Sequence, residues 1–145
     1  MQKPVMGSIA LALLAVAGGV FIMRLRESDV RFCRALLEDL ADGKPSVNRQ
    51  IDWARLVALD VDVGATYAQL PSDQERARYR RAFIEHFSKG FRQAGGASKG
   101  FRHWRVHARE AQRVVVAADY EARQKTLLMT IPASGPKKLE AIRWQ

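Results

Sequence analysis

Residues 72–108 read SDQERARYRRAFIEHFSKGFRQAGGASKGFRHWRVHA, and within this stretch the hydrophobic period changes. Up to Ala94 the large apolar residues recur every three or four positions. Tyr79, Phe83, Ile84, Phe87 and Phe91 share one stripe, and Ser72 with Glu75 has the spacing of a capping box. This predicts a helix from Asp73 to about Ala94, stopped by Gly95-Gly96. From Phe101 to Ala108 the period becomes two, with Trp104 and Val106 on one side and His103, Arg105 and His107 on the other, which predicts a strand. Aromatics at helical spacing in this setting read as core rather than as a cofactor site.

Towards the C-terminus, Arg113–Asp119, Lys125–Ile131 and Leu139–Trp144 read as three more strands, with a turn at Ser134-Gly135-Pro136. Connections this short imply an antiparallel meander. Towards the N-terminus, Ser28 can cap a helix carrying Val30, Cys33, Leu36, Leu37, Leu40 and Ala41, ended by Gly43 and Pro45. Ser46 can cap a second, with Ile51, Trp53, Leu56, Val57 and Leu59 as its apolar set. Asp60 to Leu70 reads as a turn or short helix containing Gly64 and Tyr67. The expected class is α+β: two to three helices packed on a curved four-stranded antiparallel sheet.

Ahead of this domain, Val5 to Met23 (VMGSIALALLAVAGGVFIM) contains no charge, with Lys3 before it and Arg24 and Arg26 after it. As a helix it would span about 28 Å, close to the hydrocarbon thickness of a bilayer. We therefore divide the chain into a membrane anchor with flanks at 1–27 and a soluble α+β domain at 28–145. A cleaved signal peptide is the rival reading, since Ala15-Val16-Ala17 fits a small-x-small cleavage site, but the apolar run continues to Met23. Basic residues on the C-terminal flank favour a cytoplasmic domain, whereas the secretory character of the start favours an outward one. The expectation adopted is a single-pass protein of the bacterial inner membrane with a periplasmic domain. Ser8, Ala12, Ala15 and Gly19 lie on one face of the anchor, where small residues would let a partner helix approach closely.

The element order, with the long helix Asp73–Ala94, its Gly95-Gly96 exit and the closing strand Lys138-Leu139-Glu140-Ala141-Ile142-Arg143-Trp144, resembles the cone-shaped nuclear-transport-factor-2-like domains. That resemblance covers roughly residues 29–145 and implies helices packed in the concave face of a curved antiparallel sheet. Periplasmic phospholipid carriers of helix-plus-sheet type offer a related comparison. The superfamily hosts enzymes, carriers and assembly subunits, so the resemblance does not select an activity.

Of 145 residues, 48% are hydrophobic and 27% charged, which suits a folded domain, and the net charge is +9. Cys33 is the only cysteine, which excludes an internal disulfide and a cysteine-based zinc cluster. His103 and His107 would sit about 13 Å apart on a strand and lack a third ligand. Asp119, Tyr120, Tyr67 and Tyr79 are the residue types that isomerase-like members of the superfamily use, yet their spacing marks no site. No phosphate loop, dinucleotide fingerprint or nucleophile elbow occurs, so neither a cofactor nor a catalytic set is assigned. The compositional signal is a basic region with Arg76, Arg78, Arg80, Arg81, Lys89, Arg92, Arg102, Arg105 and Arg109. It suits an anionic lipid or acidic protein surface, while a membrane tether and few exposed stacking aromatics count against nucleic acid. The expected role is a non-enzymatic interaction module, a subunit or assembly factor working with membrane-protein partners. A carrier of a lipid or other apolar ligand, and a small isomerase- or hydratase-like enzyme, are the alternatives.

Overall fold

The computed structural model describes the backbone of residues 5–93 and 98–145 and the side chains of 15–93 and 99–145. Helix α1 runs unbroken from Val5 to Ala41. Ser28 is therefore not an N-cap: Arg24 to Asp29 contain neither glycine nor proline, so nothing ends the first helical segment before the second begins. The C-terminal part of α1 buries Cys33, Leu36, Leu37 and Leu40, as their spacing predicts. Residues 15–28, by contrast, are exposed along the whole helix. Gly43 ends α1 with φ 68°, its N–H donating to Leu40 (3.1 Å) and that of Lys44 to Asp39 (3.0 Å).

The second predicted helix is replaced by a six-residue 3-10 turn, Pro45–Gln50, followed by extended chain. Trp53 closes this segment, its indole N–H donating to the Asn48 carbonyl (3.1 Å) and side-chain oxygen (3.0 Å). Val57–Ala58 (β1) and Val61–Asp62 (β2) then form an antiparallel hairpin. Val57 and Leu59, assigned above to a helical face, thus belong to a strand and its turn. Helix α2, Val63–Ala68, starts where the Asp62 carboxylate accepts the Ala65 N–H at 3.0 Å. Gly64 is required here, because a Cβ would come within 2.4 Å of the Ala54 carbonyl oxygen.

Helix α3, Asp73–Gln93, begins at the predicted cap, with the Glu75 N–H donating to the Ser72 hydroxyl at 3.2 Å. Its predicted glycine stop lies outside the described residues. Strands β3 (Phe101–Arg109), β4 (Arg113–Tyr120), β5 (Lys125–Pro132) and β6 (Ala141–Trp144) form the expected meander. The sheet is larger than four strands and not purely antiparallel, with the order β2-β1-β6-β5-β4-β3 and β1 parallel to β6. Strands of two residues are too short to show an alternation, which is why the sequence did not reveal them. Register shifts in β3 between Arg102 and Arg105 and between Val106 and Ala108 mark bulges, which bend an edge strand.

One core joins α1 and α3 to a single face of this sheet, through Phe101, Val114, Val116, Tyr120, Leu127, Met129 and Ile142. Among the described residues no helix is long and apolar enough to cross a membrane. The predicted anchor falls partly on residues 5–14, whose side chains lie outside the described set, and its remainder is exposed helix.

Candidate functional site

The space between the helices and the sheet is occupied by rings. Phe83, Phe87 and Phe91 follow one another along α3 with centroids 6.2 Å apart. Trp53 meets Phe83 edge-on at 5.4 Å, and Phe91 stacks on Phe101 at 5.9 Å. Phe101 in turn contacts Tyr120 (4.8 Å) and Trp144 (6.0 Å). Offset and edge-to-face contacts of this kind each add about 0.5–1.5 kcal/mol beyond area burial.

A cleft of ≈ 190 Å³ remains at one end of this array, lined by Leu37, Leu59, Phe87, Phe91, Leu127 and Trp144, with His86 and Arg123 at its rim. Drug-sized ligands fill roughly 300–1,000 Å³, whereas about 150 Å³ holds a benzene ring. The cleft therefore has room for one ring or one branched side chain, not for an acyl chain pair. Its lip is unusual. Leu59 and Asp60 have φ 49° and 70°, the geometry of a type I′ hairpin turn that favours Asn-Gly. A leucine there costs about 1–2 kcal/mol, and Leu59 stays 43% exposed.

Asp119 and Tyr120, side by side in sequence, point to opposite faces of β4. Tyr120 is buried among the rings, whereas Asp119 accepts from the Thr126 hydroxyl (3.0 Å) and pairs with Arg105 (3.1 Å) and His103 (3.5 Å) on the other side. The Thr126 hydrogen bond, followed by Arg105 and His103, holds the Asp119 carboxyl below its ordinary value. An acid and a tyrosine are thus not brought together there. Among the described residues no carboxylate lines the cleft, and no cluster of His, Cys, Asp and Glu could hold a metal ion.

The nine basic residues singled out from the sequence fall into separate groups. Arg76 and Arg80 flank the Tyr67 ring at 5.9 and 6.0 Å, and Arg80 donates to the Tyr67 hydroxyl at 2.6 Å, tying α3 to α2. Arg78, Arg81, Lys89 and Arg92 line the exposed side of α3 at helical spacing. Arg102 and Arg105 lie on β3, registered with Asp119 and Ala117. Arg109 pairs with Asp29.

That last pair belongs to a site the sequence reading missed. Asp29 is only 5% exposed, bonded to Arg109 from β3 and to Lys137 (3.0 Å) from the β5–β6 loop, while Lys137 also donates to Ser28 at 2.5 Å. The signal was present: Asp29 falls one turn before Cys33 on the buried stripe of α1, where a carboxylate needs a partner. Burial, and secondarily the Asp29 charge, pushes the nearby Cys33 thiol up to about 12, with Lys137 opposing. Of the small-residue face, Ser8 and Ala12 lie outside the described side chains. Ala15 and Gly19 are exposed, and a Cβ on Gly19 would meet nothing within 4 Å. Comparison with protein-family models, curated proteins and solved structures returned no match.

Proposed function

We propose that the chain is a membrane-tethered, non-enzymatic interaction module, a subunit or assembly factor of a larger bacterial membrane complex. One observation carries this reading: a single continuous helix is a core element from Asp29 to Ala41 and, among its described side chains, an exposed and largely apolar stretch from Ala15 to Leu25. Val16, Val20, Phe21, Ile22, Met23 and Leu25 are all at least 40% exposed, with Phe21 at 63% and Met23 at 65%. Leaving six such side chains in water forgoes on the order of 5–10 kcal/mol of transfer free energy. Insertion of 5–23 in a bilayer recovers the share of all but Leu25, and contact with a partner helix along Ser8, Ala12, Ala15 and Gly19 adds packing.

The interior filled with rings supports a binding surface over a ligand chamber, and helices on one face of a bent sheet support the nuclear-transport-factor-2-like reading of the domain. The exposed α3 stripe, Arg78, Arg81, Lys89 and Arg92, offers an acidic protein surface a row of cations, interrupted only by Glu85. A second reading, a carrier of a small apolar molecule, draws on the ring-lined cleft. Its volume favours one ring over a phospholipid.

A native pull-down in mild detergent, read by intact mass spectrometry, separates the two. The module reading expects stoichiometric membrane-protein partners, lost when Ala12 and Gly19 are both replaced by isoleucine. A lone chain carrying a small apolar mass contradicts it in favour of the carrier.

A further inference from the structure

The continuity of α1 fixes which end of the domain approaches the bilayer. Met23 closes the apolar run, and Asp29, the first buried residue among the described ones, lies about 9 Å further along the helix. No flexible linker intervenes, so the domain cannot swing away from the surface its helix leaves. The structures around Asp29 are therefore the ones held at headgroup depth. They are the β3–β4 turn, through Arg109, and the β5–β6 loop, through Lys137. The two are joined to each other where the Ala133 N–H donates to the Gln112 carbonyl at 2.9 Å. The opposite end of β4 and β5, the turn at 121–124, lies about 25 Å away along the strands.

The chemistry of this end matches its position. Arg24, Arg26, Arg31, Arg113 and Lys138 are exposed, opposed by Glu27 and Glu110. Asp29 is already neutralised inside the protein by Arg109 and Lys137, so it does not offset them. The planar forks of the arginines suit paired phosphate oxygens, and Arg24 and Arg31, two turns apart, share one face of the helix.

Resting on the anchor reading above, we propose that this end is seated on the membrane. The base of α1, the β3–β4 turn and the 133–138 loop there bind the phosphate headgroups of anionic phospholipid. The bilayer is thus a second ligand of the domain, and the α3 stripe and ring-lined cleft are left open to other partners.

The test uses the full chain reconstituted in liposomes of phosphatidylcholine, alone or mixed with phosphatidylglycerol. A fluorophore is placed at Ser134→Cys, Gln112→Cys or Ala122→Cys, and a quencher is carried on lipid headgroups. Cys33 is buried and protonated, so labelling is confined to the introduced thiol. Quenching several-fold stronger at 134 and 112 than at 122, enhanced by phosphatidylglycerol and reduced by joint Arg113→Glu and Lys138→Glu replacement, is expected. Equal quenching at the three sites, or indifference to phosphatidylglycerol, overturns the proposal. Flotation of the same liposomes at alkaline pH reports the anchor separately: floating protein with equal quenching sinks this inference alone, whereas protein that fails to float sinks both.

Discussion

Asp29 shows how much depends on single side chains in this molecule. A buried carboxylate with two cationic partners is stable as a set, and removing one partner exposes the cost of desolvating the others. Replacing Arg109 with alanine leaves Asp29 to Lys137 alone. We expect a loss of about 1–3 kcal/mol in urea unfolding, and no loss when Asp29→Asn is combined with it, because the two effects are coupled. Cys33 gives a pH signature. Its thiol rises from 9.0 to about 12 in the folded chain, so the folded state keeps a proton that the unfolded state releases. The stabilisation is complete below pH 9 and is lost as pH rises towards 12. Unfolding measured across that window should show falling stability, and native protein at pH 8 should resist thiol reagents until denaturant is added. Rapid native labelling would contradict this. At this scale the sequence was partly readable. Cys33 fell on the predicted buried stripe, whereas the partners of Asp29 come from positions 80 and 108 residues further on, a pairing no local pattern encodes.

At the scale of elements, the strong local signals held and the weak ones did not. Helix α3 carried its own start signal in Ser72 and Glu75 and a long apolar stripe, so the sequence located it well. Ser72→Ala should lower stability by about 1 kcal/mol in thermal or urea unfolding, with the fold kept. An unchanged midpoint would mean that the cap contributes nothing. Strands β3 to β6 were legible because each alternates or is rich in valine and leucine over eight or so residues, apart from β6. Strands β1 and β2 were not, since Val57 and Leu59 fit a helical face as well as a hairpin, and Leu59-Asp60 lacks turn chemistry. The break expected at Ser28 failed for the opposite reason. A capping residue does not stop a helix that already has a turn in front of it, and residues 24–29 offer no breaker.

For the whole molecule, the composition pointed to an anionic partner, and the structure divides the cations among distinct jobs. Some hold α3 to α2, two secure α1 through Asp29, and others remain on the exposed sides of α1 and α3. The candidate site was less legible than the fold, because a surface of this kind depends on which cations are already paired, and pairing is a tertiary property. What unifies the account is α1, which is part of the core and, in the function proposed above, also the handle on the membrane. The most direct measurement is alkaline extraction of membranes containing the full-length chain, followed by intact mass of the retained protein. The account predicts that the chain stays in the pellet with residues 5–23 intact. Release into the supernatant, or a mature N-terminus just after Ala17, would contradict it.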